Sequence, residues 1–245
     1  MQTRQREPFF EGPNSPSLAR RALAEGVATA GLTMAVVFAA QATWLGPLRP
    51  LALALGVPAA VAALTLSFGP ATGAHFNPLV TASQWLSGKR DTPCLVAYVC
   101  AQFAGALIGA ALAGFLTGPA PHAAPAPMGL VIGSEIFASA GLVTIVLAAS
   151  LVMGPLAGLA AVVGWLVMVN LAAPAGPFAN PVLALATPLA LGALDGPLVL
   201  THMAAELAGA ALALLVVAVV YPQLSARRAL PEPQPNATAL PADPV

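Results

Sequence analysis

The 245-residue chain is 58% hydrophobic and 7% charged, with nine basic and nine acidic residues balancing to a formal net charge of zero. A soluble domain carries about a quarter charged residues, so this composition excludes one and makes the lipid bilayer the chain's first partner. No basic cluster exists beyond paired arginines, which leaves nucleic acid without an electrostatic foothold.

Residues 1–18 are polar and proline-containing and read as a disordered N-terminus, and a first apolar span follows from about Arg21 to Thr43, carrying Glu25. A second span, about Leu51 to Gly69, ends in Gly69-Pro70, where the helix is expected to break. The third, about Cys94 to Leu116, holds Gln102 and two glycines four apart, Gly105 and Gly109, a spacing that lets helix backbones approach closely. Residues 117–127, with His122, read as the linker between halves. The fourth span, about Met128 to Ser150, carries Glu135; the fifth runs from about Leu156 to Leu171; the sixth, about Val199 to Tyr221, holds His202 and Glu206. Both histidines read as interfacial residues, and the stretch 222–245 as a disordered tail. Cys94 and Cys100 read as small packed thiols, and no Cys or His spacing suits a metal. No cofactor is expected.

Two short stretches between these spans echo each other: Gly73-Ala74-His75-Phe76-Asn77-Pro78-Leu79 and Gly176-Pro177-Phe178-Ala179-Asn180-Pro181-Val182. Asn is a preferred N-cap and Pro a preferred first helical residue, so each Asn-Pro pair opens a helix abruptly. The apolar runs that follow, to about Gly88 and Gly192, reach roughly 16 to 18 Å at about 1.5 Å per residue. That is half of a hydrocarbon core of roughly 30 Å, so both are expected to be re-entrant half-helices.

The landmarks recur in order: Glu25 and Glu135 are 110 residues apart, Asn77 and Asn180 103, Gln102 and Glu206 104. Such spacing implies a duplication, with repeat 1 over about 19–117 and repeat 2 over about 128–221. Three spans per repeat is an odd number, so the halves insert in opposite orientation. The expected fold is an all-α membrane protein of six transmembrane helices and two half-helices in an inverted 3+3 repeat, the channel domain being 19–221. With both termini cytoplasmic, every Arg and Lys except Arg49 lies inside, as the positive-inside rule requires. Two half-helices entering from opposite faces bring their positive N-terminal ends together, and the Asn77 and Asn180 amides there can donate to a passing oxygen. Cations are repelled, which suits a pore for neutral solutes.

The stretch from Ser67 to Thr81, with its Gly-Ala-His-Phe-Asn-Pro core, resembles the first signature loop of the major intrinsic proteins, the aquaporin and aquaglyceroporin family; the resemblance runs over about residues 20–221. It implies a homotetramer with one pore per subunit in the cell inner (plasma) membrane, and passive flow of water or small uncharged solutes. Family motifs read Asn-Pro-Ala, whereas here they read Asn77-Pro78-Leu79 and Asn180-Pro181-Val182. The arginine usual after the second motif is Leu183, and counting from the asparagines puts the other constriction positions near Val57, Met168 and Pro177. A filter of Val, Met, Pro and Leu has no side-chain donor, so solutes larger than water are expected: polyols or neutral metalloid hydroxides such as arsenous acid. Arginine-less bacterial members resemble the arsenic-associated branch of the family.

Glu25 and Glu135 have two readings, a proton relay or, as the resemblance implies, a brace accepting hydrogen bonds from the re-entrant loop. His75 is expected to bond within its loop at the inner vestibule, with pH gating the alternative. Glu206 reads as a hydrogen-bonded packing residue. Two other classes compete. A secondary active transporter with a broken-helix site would need an ion ligand or a titrating acid at the crossing point. An enzyme would need a Ser-His pair, paired Asp or an HExxH helix, none of which occurs in the sequence.

Overall fold

A computed structural model of the chain describes residues 16–118 and 126–222. The expected N-terminal disorder before residue 16, the linker with His122 and the tail after 222 lie outside the described residues. The order is α1 (Leu18–Ala40), a 3-10 turn (Thr43–Leu48), α2 (Arg49–Leu51), a π turn (Ala52–Gly56), α3 (Val57–Thr72), α4 (Pro78–Leu86), α5 (Thr92–Thr117), α6 (Met128–Val152), α7 (Pro155–Ala172), α8 (Pro181–Ala190) and α9 (Gly196–Val220). No strand occurs among the described residues. Six stretches are long and apolar enough to cross a membrane: α1, Leu45–Thr72, α5, α6, α7 and α9. The remaining long elements, α4 and α8, have 9 and 10 residues, roughly 14 and 15 Å, about half a bilayer core.

The second span does not break at Gly69-Pro70. Helix α3 continues through Pro70 to Thr72 and stops at Gly73, whose left-handed φ of 86° closes it. Pro70 removes the N–H that would bond the Leu66 carbonyl, yet the chain reverses only at the glycine that can adopt positive φ. A Cβ at Gly73 would sit 2.6 Å from Arg90 Nη2, so the arginine side chain would have to move aside, and the positive φ is what favours glycine here.

The two halves are packed alike, α1 along α5 and α6 along α9. In the first pair a Cβ at Gly105 would lie 2.0 Å from the Gly26 carbonyl oxygen, and in the second one at Gly209 would lie 2.6 Å from that of Ile136. Both glycines therefore buy backbone contact, in positions 104 residues apart. The half-helices are sunk among the spanning helices, with Leu79, Val80, Val182 and Leu183 buried. Apolar side chains such as Leu66, Phe115, Leu200 and Leu215 stay exposed on the outside, where hydrocarbon replaces water as solvent.

Candidate functional site

Each re-entrant loop is held by a buried carboxylate from the first helix of its repeat. Glu25 in α1 accepts the backbone N–H groups of His75 (3.0 Å) and Phe76 (2.7 Å). Glu135 in α6 accepts those of Phe178 and Ala179, both at 2.9 Å. Non-helical backbone at membrane depth must find partners for its N–H groups, and a fully buried acid supplies two acceptors at once. The bonds force an uncommon backbone: Phe76 and Ala179, each just before its asparagine, have φ of 46° and 48°. Left-handed conformation in residues with a Cβ persists only where surroundings impose it, and here it turns the following asparagine inward.

Those asparagines cap α4 and α8 from extended backbone. Asn77 Nδ2 donates to the Ala179 carbonyl at 2.7 Å, and Asn180 Nδ2 donates to the Phe76 carbonyl at 3.0 Å. The loops are thus bolted to each other where the two positive helix ends meet. The caps are not identical. Asn77 Oδ1 accepts Leu79 N–H at 2.9 Å, whereas buried Asn180 Oδ1 has no hydrogen-bond partner among the described residues.

Both asparagines lie on the wall of one cavity of about 80 Å³, enough for a few water-sized molecules. Helix α4 contributes Val80 and Gln84, which follow Asn77 at helical spacing, a stripe that the sequence itself displays. His75 also lines it, its Nδ1 3.0 Å from Thr81 Oγ1 and its buried Nε2 without a hydrogen bond. The remaining wall is largely aliphatic, including Leu32, Val57, Val162 and Leu183. Neither Glu nor Asp lines it.

Of the four counted constriction positions, Val57 and Leu183 are on this wall and Met168 and Pro177 are not. Helix α7 presents Leu159, Val162 and Leu166 instead. Met168 is two residues beyond Leu166, roughly 200° around the helix, and packs on the cluster of Ala138, Leu142 and Val169. Ungapped counting back from Asn180 crosses the irregular segment after α7, which carries no helical register. Pro177 is buried in that segment, off the cavity.

Behind the two loops the repeats diverge. In the first, Gln102 Nε2 donates to Glu25 Oε2 (2.8 Å) and Thr81 Oγ1 (3.0 Å). In the second, Glu206 Oε1 accepts Asn180 N–H at 2.7 Å. His202 is not interfacial: it is buried, with Nδ1 2.6 Å from Glu135 Oε1 and its ring edge-on to Phe178. Its counterpart 104 residues earlier is Tyr98, edge-on to His75 and donating to the Thr72 carbonyl at 2.8 Å. The repeat offset was the signal that could have placed it.

Comparison with known proteins joins these observations. The family model described as major intrinsic protein matches residues 13–175, two thirds of the chain, ending just short of the second Asn-Pro pair. Over 100 residues the chain is 40% identical to "Aquaglyceroporin AqpS" of Rhizobium meliloti (strain 1021), 39% of this chain and 43% of that one. Over 75 residues it is 39% identical to "Lens fiber major intrinsic protein" of Ovis aries, 31% and 28% of the two chains. The matches thus span less than half the length of these curated relatives. In fold it resembles the X-ray structure of the aquaglyceroporin from Plasmodium falciparum, with a TM-score of 0.69 and 20% identity over 86% of this chain and all of that one. Six membrane-length helices, two half-helices and the matching family model together establish that the chain belongs to the major intrinsic protein family.

Proposed function

We propose that the chain is a passive membrane channel for small uncharged solutes, glycerol-like polyols and neutral metalloid hydroxides such as arsenous acid, with water a further permeant. The observation that carries this reading is the meeting of the Asn77 and Asn180 amides on the wall of one mostly aliphatic cavity, at the N-terminal ends of two half-helices. Each amide spends one N–H on the opposing loop and keeps a second for a solute oxygen. The positive helix ends oppose cations and protons, while uncharged hydroxyl compounds meet a donor and no charge barrier. Leu183, with Val57 facing the same cavity, makes the constriction apolar, so it selects by size more than by hydrogen bonding. The names of the aquaglyceroporin relatives support polyol-sized permeants.

The acids brace the loops from behind, which favours an uncoupled pore over an ion-driven transporter, whose titrating group would stand at the solute's path. We place residues 19–221 as the channel domain, repeated over about 19–117 and 128–221. Arg20, Arg21, Lys89 and Arg90 lie at the end of the bundle where α1 and α5 begin, and Arg49 at the other. By the positive-inside rule the former end is cytoplasmic, in the plasma membrane, with both termini on that side. The homotetramer rests on family membership.

Swelling of proteoliposomes in glycerol and neutral arsenite tests the reading, with Leu183→Arg beside the wild type. The wild type is expected to pass both solutes without any ion gradient, and the arginine variant to lose glycerol and arsenite flux while retaining more of its water flux. Flux that requires a proton or sodium gradient, or an arginine variant that passes glycerol and arsenite like the wild type, overturns it.

A further inference from the structure

The pore cavity holds a second polar cluster beyond the asparagines. Gln84 and His75 both line it and are both buried, yet Gln84 Oε1 and His75 Nε2 have no hydrogen-bond partner. The two side chains face each other. Gln84 stands seven residues past Asn77 on α4, two turns and roughly 10 Å along the half-helix. Polar atoms left unpaired in a buried place are costly, so a pair of them in a permeation path points to a ligand that completes them.

The bonds around His75 decide which ligand that is. Thr81 Oγ1 donates to the Asn77 carbonyl at 3.1 Å and accepts Gln102 Nε2 at 3.0 Å. Its one proton is committed, so towards His75 Nδ1, also 3.0 Å away, it can only accept, and the ring carries its N–H on Nδ1. In the neutral ring Nε2 is then a bare acceptor. The Gln84 carbonyl oxygen opposite is an acceptor too, and two acceptors cannot satisfy each other. A hydroxyl solute can satisfy both: one O–H donates to His75 Nε2, and a second, being donor and acceptor at once, pairs with the amide whichever way up the amide stands. The asparagines offer the opposite chemistry, an N–H from each amide, so the path sets an acceptor station two helical turns from a donor station in a largely aliphatic wall.

We propose that Gln84 is a specificity-determining residue for polyhydroxylated solutes, its amide and His75 Nε2 together taking up two hydroxyls of one solute in transit. This rests on the channel reading above. A polyol fills the narrow path and shuts out accompanying water, so its hydroxyls depend on the wall for hydrogen bonds. A water molecule keeps the waters before and behind it as partners and depends on the wall less.

The test measures water and glycerol permeability side by side in proteoliposomes of the full-length chain. Gln84→Met, close to Gln in size but apolar, is expected to lower glycerol permeability about tenfold, the loss of one hydrogen bond to a desolvated hydroxyl, and water permeability less than about twofold. Gln84→Asn keeps an amide and is expected to retain more glycerol flux than Gln84→Met. The unfolding midpoint of Gln84→Met in detergent is expected to hold or rise, because Gln84 Oε1 makes no internal bond to lose. A glutamine kept for packing would give a fall in midpoint with glycerol and water flux declining in equal proportion. That result, or glycerol flux in Gln84→Met equal to the wild type, overturns this proposal and leaves the channel reading standing. A wild type that passes neither solute overturns the channel reading and this proposal with it.

Discussion

Glu206 occupies in α9 the place that Gln102 holds in α5, yet the two face their loops with opposite chemistry. Gln102 is a donor to Glu25, and Glu206 is an acceptor for the Asn180 N–H. The second loop therefore has three backbone N–H groups held by two acids, Phe178 and Ala179 on Glu135 and Asn180 on Glu206. His202 Nδ1 lies 2.6 Å from Glu135 Oε1, and at the equivalent place in the first half stands Tyr98.

From this follows a contrast between two substitutions. Glu206→Gln keeps an oxygen for Asn180, so thermal unfolding in detergent is expected to change little. Glu206→Leu strands a buried N–H, a loss of about 1–3 kcal/mol, and should lower the unfolding midpoint and solute flux together. Equal behaviour of the two variants would show that the hydrogen bond is not what holds Asn180.

At the asparagines themselves, Asn180→Asp is expected to make the pore leak. The substitution exchanges a donor amide for an anion at the meeting point of two positive helix ends, cancelling the field that opposes cations. Proton flux into proteoliposomes under a pH gradient should rise above that of the wild type. Unchanged proton exclusion would mean that the helix ends and amides are not the barrier.

The helix pairs offer a test of stability. A Cβ at Gly105 would overlap the Gly26 carbonyl, so Gly105→Leu must push α1 and α5 apart along their whole contact. Overpacking of this kind costs about 1–3 kcal/mol or more, and membrane-inserted yield and unfolding temperature are expected to fall. Gly129→Leu, where nothing lies within 4 Å of the added Cβ, serves as the matched control and should be tolerated.

What the sequence displays is local chemistry and repetition. An Asn-Pro pair names its own helix start, and a carboxylate inside an apolar run is conspicuous, so the asparagines and Glu25 and Glu135 are legible without coordinates. Contacts across the fold are not. His202 finds Glu135 67 residues away, and nothing in its own neighbourhood announces an acid partner. The left-handed Phe76 and Ala179 contradict local preference because the Glu25 and Glu135 bonds overrule it. Met168 is reached from Asn180 only by counting through a segment of irregular backbone, where residue number reports position poorly. Pro70 marks a helix end only approximately, since the residue that reverses the chain is Gly73.

Lys89 gives the pH dependence a defined sign. It lies in the turn between α4 and α5, and burial pushes its ammonium down from 10.5 to about 8. The folded protein therefore holds this proton less tightly than the unfolded chain. Below about pH 8 the group is charged in both states and the cost of burying the charge is fully present; above about 10.5 it is neutral in both and the cost is gone. Stability attributable to Lys89 thus rises as pH climbs from about 8 to about 10.5. Lys89→Met removes the titration, so the gap in unfolding temperature between the variant and the wild type should narrow across that window. A gap constant over the window would show that the Lys89 ammonium is as well solvated in the folded protein as in the free chain.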